Sequence, residues 1–158
     1  MKEIQTHQII KNSLQIEYPD GWYHKPTDVG MSGGEKSRFM IKRPFDILYY
    51  WKSNLLAIEA KLLKNGTSFS FEDVKKHQIE NLIEVDKNGG YSYIAIHLWK
   101  EREINKILFI ELHDFLYWKS TTEGRVKWEE LQNDLRVMLN LDVKNGLINL
   151  RKSYLIGG

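Results

Sequence analysis

The sequence contains no cysteine, no internal repeat and no low-complexity segment. The absence of cysteine excludes disulfides, thiolate zinc sites and thiol nucleophiles, and it fits a reducing compartment such as the cytoplasm. Long hydrophobic runs are also missing: the apolar stretches are strand-sized and far shorter than the roughly 20 residues of a membrane helix. The N-terminal residues lack the apolar core of a signal peptide. We therefore expect a protein of the cytoplasm with no membrane association.

The composition is that of one soluble globular domain. Of the 158 residues, 42% are apolar and 28% are charged, and the net charge is only +2. This average hides a basic segment, because residues 22–43 carry five cations against Asp28 and Glu35: Lys25, Lys36, Arg38, Lys42 and Arg43. Three glycines and two serines within residues 28–38 indicate a mobile loop. We expect residues 1–158 to form a single domain with a basic loop or short stalk at about residues 28–43.

Hydrophobic periodicity and turn signals predict an α/β fold. The predicted helices cover residues 4–16, 71–86, 114–119 and 127–139, and the predicted strands cover residues 22–27, 45–51, 55–63, 91–98 and 107–112. Along the chain the order is a helix, three strands, a helix, two strands and two short helices. This order favours a mixed central sheet flanked by helices.

The most informative stretch is the hairpin predicted from residues 45–63. If it closes on Lys52 and Ser53, Asp46 lies opposite Glu59, and directly paired residues have Cβ atoms about 4.5–5.5 Å apart. Two carboxylates this close repel by about 3 kcal/mol at an effective dielectric constant near 20. A divalent cation between them would turn the repulsion into attraction. Lys61 is two residues from Glu59, so both side chains leave the same face of the strand.

The spacing alone leaves alternatives open. An acid, any residue and a lysine occur three times, beginning at Glu59, Asp73 and Asp142, and the hairpin could also be an edge with solvated charges. Gln78 lies in the apolar stripe of the predicted helix at residues 71–86. Its amide could be buried against functional groups or could bond to backbone at the margin of the stripe.

The residues of this hairpin resemble those of a known nuclease family. Asp46 with Glu59-Ala60-Lys61 is similar to the PD-(D/E)XK nuclease core. The longer run at residues 59–82, EAKLLKNGTSFSFEDVKKHQIENL, resembles the RecU-type Holliday junction resolvases of Gram-positive bacteria and their phages, including the thirteen-residue step from Asp46 to Glu59. The likeness extends over about residues 22–118 and implies a restriction-endonuclease-like core.

The resemblance implies a Mg²⁺-dependent endonuclease, with Mn²⁺ as a substitute, that cuts four-way DNA junctions as a homodimer and uses no nucleotide cofactor. Asp46, Glu59 and the Ala60 carbonyl would hold the metal. Lys61 would position or activate water and stabilise charge on the phosphate. Gln78 would support this site.

The sequence departs from the family at two places. The further acid on the family's first helix corresponds either to Glu3 or to the neutral Gln8. The segment at residues 28–45 is shorter than the family's stalk, although its cations suit phosphate contacts. The residues expected to touch DNA are Lys25, Thr27, Lys36, Arg38, Lys42 and Arg43. A solvated loop, another DNA target, and a catalytically inactive DNA-binding relative remain the alternatives.

Overall fold

The computed structural model describes residues 1–27, 43–151 and 154–156. Its helices are α1 (Glu3–Glu17), α2 (Lys76–Lys87), α3 (Leu112–Thr121) and α4 (Trp128–Asn133). Its strands are β1 (Trp22–His24), β2 (Ile47–Trp51), β3 (Asn54–Lys64), β4 (Ser68–Ser70), β5 (Tyr91–Lys100), β6 (Ile104–Glu111), β7 (Arg125–Lys127) and β8 (Val137–Asp142). Within these residues no helix is long and apolar enough to cross a membrane.

A six-stranded mixed sheet organises the domain and confirms the predicted fold class. Its order is β1-β2-β3-β5-β6-β8, and β3 with β5 is the parallel pair. One face packs against α1 and the C-terminal segment, with Ile10, Leu14 and Leu155 in that core. The other face packs against α2, α3, α4 and the small β4–β7 sheet, with Leu82, Phe115 and Trp128 in that core. Strand β3 therefore contacts side chains of α1 on one face and of α2 on the other.

The predicted hairpin between β2 and β3 is confirmed. Trp51 lies opposite Asn54, and the register continues to Ile47 opposite Ile58. Lys52 and Ser53 have φ values of 45° and 65°, which are the left-handed conformations that a type I′ hairpin turn requires. Asp46 would be the next residue of this register, but the ladder ends at Ile47.

Two predicted helices are wrong at one end. Ser70 caps only a short 3₁₀ turn at Phe71–Asp73, and Val74 is extended so that its side chain enters the core; α2 therefore begins at Lys76 and not at residue 71. The helix predicted at residues 127–139 ends at Asn133. Residues from Val137 form β8 because their side chains alternate between half-buried and exposed, as in a sheet edge paired with β6.

Replacing the hairpin turn by Asn-Gly tests this conformation. We expect Lys52→Asn with Ser53→Gly to raise the free energy of unfolding by about 1 kcal/mol, because Asn and Gly adopt positive φ at lower cost than Lys and Ser. Urea denaturation measures the change. Unchanged or reduced stability would contradict the type I′ assignment.

Candidate active site

Asp46 directly precedes β2, at the point where the β2–β3 ladder ends and β3 continues alone on that side. Its side chain is fully buried, and its Oδ2 accepts a hydrogen bond of 2.9 Å from the backbone N–H of Ala60. Its own N–H donates to the carbonyl of Ile58 at 3.2 Å. The carboxylate thus takes the place of a β2 residue beside β3 and is held against the middle of the Glu59-Ala60-Lys61 segment.

Glu59 and Lys61 leave the same face of β3, as the alternation of a strand predicts. The carboxylate of Glu59 is buried, and Lys61 Nζ lies 3.0 Å from Glu59 Oε1. Gln78 reaches this lysine from α2: its buried Oε1 lies 3.5 Å from Lys61 Nζ and accepts a hydrogen bond of 2.9 Å from the Lys75 N–H. Gln78 therefore fixes the start of α2 and contacts the lysine at the same time.

The two buried acids have opposite pKa shifts. Burial raises the pKa of Glu59, and the charge of Asp46 raises it further, to about 8, although Lys61 opposes this. Burial acts in the same direction on Asp46, but His7, the Ala60 N–H and Arg43 outweigh it and hold the pKa of Asp46 below its usual value. Without a further cation, the site therefore favours one charged and one protonated carboxyl group.

The donor set fits a hard divalent cation. Among the described residues, Asp46 Oδ1 and Glu59 Oε2 are buried and have no hydrogen-bond partner, although Arg43 Nε lies 3.3 Å from Asp46 Oδ1. Buried carboxylate oxygens of this kind are costly unless a charge or donor compensates them. Mg²⁺ and Mn²⁺ prefer such oxygen ligands, and a bound cation would also stabilise the deprotonated form of Glu59. Asp46, Glu59 and the Ala60 carbonyl are the groups that would hold it.

Helix α1 contributes residues on the other side of Asp46. Glu3 and His7 lie one helical turn apart, and His7 Nε2 is 3.7 Å from Glu3 Oε1 and 3.6 Å from Asp46 Oδ2. Gln8, the other position considered for a helix acid, is exposed and hydrogen-bonds Asn12. Glu3 is therefore the helix acid nearest the site. Its carboxylate, the His7 imidazole and the Asp46 carboxylate form a cluster that could hold a metal ion.

His7 was not among the predicted site residues. A signal was present, because His7 precedes Ile10 by three positions and Leu14 by seven and so lies on the buried face of α1. A polar residue in an apolar stripe indicates either a bonded core group or a functional one. The sequence could not show which strand this helix face meets.

The residues predicted to touch DNA are only partly described. Lys36, Arg38 and Lys42 lie outside the described residues. Lys25 is half-buried and Thr27 is exposed, just after β1. Arg43 Nε lies 3.3 Å from Asp46 Oδ1, and Arg43 NH2 lies 4.0 Å from Glu3 Oε1. Arg43 therefore borders the acidic site itself and helps to balance its charge.

Fold and site together define a mixed α/β domain with a carboxylate and lysine centre at the end of a sheet hairpin. The family model described as "Recombination protein U" matches residues 32–150. The chain therefore belongs to the RecU family, as the resemblance at residues 59–82 predicts.

Individual relatives agree with this family. The chain is 28% identical over 97 residues to "Holliday junction resolvase RecU" of Shouchella clausii (strain KSM-K16), which covers 61% of this chain and 44% of that protein. It is 26% identical over 107 residues to "SPbeta prophage-derived uncharacterized protein YotM" of Bacillus subtilis (strain 168), covering 67% of this chain and 54% of that protein. The matches therefore span about half the length of these relatives.

The chain is also similar to a solved structure of Archaeoglobus fulgidus Hjc, described as a Holliday junction resolvase from an archaeal hyperthermophile. The two chains are 19% identical, with a TM-score of 0.41, and the match covers 78% of this chain and 88% of that one.

The raised pKa of Glu59 predicts a pH-dependent stability in EDTA. Between pH 4.5 and about 8 the folded chain retains a proton on Glu59 that the unfolded chain has lost. The free energy of unfolding should therefore fall as the pH rises through this window. Glu59→Gln should remove this contribution and should be the more stable protein at pH 8.

Urea denaturation of both proteins from pH 5 to pH 8.5 measures the difference. If the two stability curves run parallel, Glu59 ionises normally and the acids are not coupled in the way that the geometry indicates.

Proposed function

We propose that this protein is a metal-dependent endonuclease that resolves four-way DNA junctions by paired phosphodiester hydrolysis. The observation that carries the proposal is the convergence of buried Asp46 and Glu59 with Lys61 where the β2–β3 ladder ends, in a chain of the RecU family. Within the described residues, both acids are buried and each has one oxygen without a hydrogen bond, and of these two oxygens only Asp46 Oδ1 has a cation beside it, the Arg43 guanidinium.

Asp46 and Glu59, with the Ala60 carbonyl, form the metal-binding part of the proposed site. The Ala60 N–H holds Asp46 in place, and the rigid parallel pairing of β3 with β5 holds Glu59. A bound Mg²⁺, with Mn²⁺ as a substitute, would supply Lewis acidity at the scissile phosphate and lower the pKa of a bound water. Two residues fixed on the sheet can hold such a centre with little reorganisation.

Lys61 supplies the positive charge that phosphodiester hydrolysis needs. Its ammonium is anchored by Glu59 and by Gln78, yet about a fifth of its side chain is exposed. It can therefore reach a phosphate oxygen or an attacking water from a fixed base. Hydrolysis forms a bond from the water oxygen to phosphorus and breaks a bond from phosphorus to a backbone oxygen, and a positioned ammonium stabilises the charge that develops. Gln78 acts as a positioning residue for Lys61.

The substrate and the assembly follow from symmetry and charge. A four-way junction has two-fold symmetry and needs two matched cuts, whereas one chain offers one such site, so we propose a homodimer. The cations expected to contact phosphates are Lys25, Lys36, Arg38, Lys42 and Arg43, together with the exposed Thr27. Branched double-stranded DNA is therefore the proposed partner.

A cleavage panel tests the proposal. Four-way junction, linear duplex, flap and nicked DNA are incubated with the protein in Mg²⁺ or in Ca²⁺. We expect cutting of the junction in Mg²⁺ and binding alone in Ca²⁺. Asp46→Asn should lower the cleavage rate by about 10³-fold, since the loss of metal-based stabilisation is worth several kcal/mol, and should leave junction binding in place.

Asp142→Asn is the matched control. Asp142 begins the same acid-any-lysine pattern but is exposed on β8, where it pairs with Lys106. The Asp142→Asn variant should cleave junction DNA at the wild-type rate. Preferred cutting of linear duplex would replace the junction assignment by another DNA target, and binding without cutting in Mg²⁺ would identify an inactive DNA-binding relative. Full activity of Asp46→Asn would remove Asp46 from the site.

A further inference from the structure

His7 is a buried imidazole whose ring nitrogens are both without a hydrogen bond among the described residues. Its exposed fraction is 4%, and Nδ1 and Nε2 are each shielded from solvent. A buried polar group in this condition is costly, and native proteins rarely keep one without a reason. Carboxylate oxygens of Glu3 and Asp46 lie 3.7 Å and 3.6 Å from Nε2, beyond hydrogen-bonding distance.

The neighbouring histidine shows how the same chain satisfies a structural imidazole. His97 is also buried, but its Nδ1 lies 2.8 Å from Thr6 Oγ1 and its Nε2 lies 2.7 Å from Asn105 Oδ1. Thr6 directly precedes His7 on α1. Two buried imidazoles thus lie near the same helix turn, one fully bonded and one with an unbonded nitrogen facing two carboxylates.

These three groups can bind one cation. Single donor atoms of Glu3, His7 and Asp46 all lie within 4.8 Å of one another. Two carboxylates and an imidazole are an established ligand combination for divalent transition metals. The guanidinium of Arg43 lies beside both carboxylates, so a bound cation would share these acids with it.

We infer that His7 is a direct nitrogen ligand of a divalent cation shared with Asp46 and Glu3, and that it shifts the cation preference of the site from Mg²⁺ toward Mn²⁺. The inference rests on the proposed function, because it places a cation on Asp46, which is also a ligand of the proposed metal site. Mg²⁺ takes oxygen ligands almost exclusively, whereas Mn²⁺ also accepts imidazole, so an all-oxygen set and a set with one nitrogen differ in selectivity.

Electron spin echo spectroscopy of bound Mn²⁺ tests the inference without reference to activity. A directly bound imidazole produces a ¹⁴N modulation, which changes to the ¹⁵N pattern when the protein carries ¹⁵N-labelled histidine. We expect this signal in the wild type and its loss in His7→Gln. His113→Gln is the matched control, because the exposed His113 belongs to a separate cluster with the half-buried Asp86 and Glu111, and its replacement should leave the signal unchanged.

His7→Asp provides a second variant that keeps a ligand at this position. It should bind Mn²⁺ without nitrogen modulation, and calorimetry should show the ratio of the Mg²⁺ to the Mn²⁺ dissociation constant falling about tenfold relative to wild type. Far-UV circular dichroism confirms that both variants fold.

The outcomes separate this inference from the proposed function. Mn²⁺ binding by wild type without nitrogen modulation, or a signal that disappears only in His113→Gln, overturns the role of His7. If the same samples still cut junction DNA, the proposed function survives that result. Failure of wild type to bind Mn²⁺ at all overturns both.

Discussion

The hydrogen bond from the Ala60 N–H to the Asp46 carboxylate is the interaction on which the site depends. It forms just before the first residue of β2, beyond the last pair of the β2–β3 ladder. There the Asp46 carboxylate, and not a backbone carbonyl of β2, accepts the hydrogen bond from β3. A charged acceptor of a backbone N–H is a strong hydrogen bond in a buried setting. It holds one acid against the strand that carries Glu59 and Lys61, and it turns that acid toward α1. The acids are thus brought together because backbone pairing between β2 and β3 ends at Ile47 and leaves the Ala60 N–H to bond the Asp46 side chain.

Much of this arrangement could be predicted from local sequence. The hairpin register followed from alternation around Lys52 and Ser53, and it brought Asp46 and Glu59 together because the chain between them is short. For Gln78 the helical stripe left two alternatives open, a bond to backbone or contact with functional groups, and the amide oxygen makes both contacts. The start of α2 could not be predicted in the same way, since Ser70 offers the same capping signal to a 3₁₀ turn as to a long helix. The packing of Val74 in the core decided between them.

Contacts between distant segments were the part that the sequence did not determine. His7 and Asp46 are 39 positions apart, and their contact requires α1 to lie across the sheet with one particular face inward. Periodicity predicts which helix face is buried but not which strand it meets. The sequence predicts that Arg43 faces phosphate, whereas its pairing with Asp46 and Glu3 depends on the same docking of α1. The strand β8 was likewise determined by pairing with β6.

The central claim is that Asp46 and Glu59 together hold a divalent cation. Thermal unfolding with and without millimolar Mg²⁺ tests this most directly, because a ligand that binds only the folded state raises its stability. The account predicts that Mg²⁺ raises the melting temperature of the wild type and leaves that of the double variant Asp46→Asn/Glu59→Gln unchanged. Equal shifts in the two proteins, or no shift in the wild type, would contradict it.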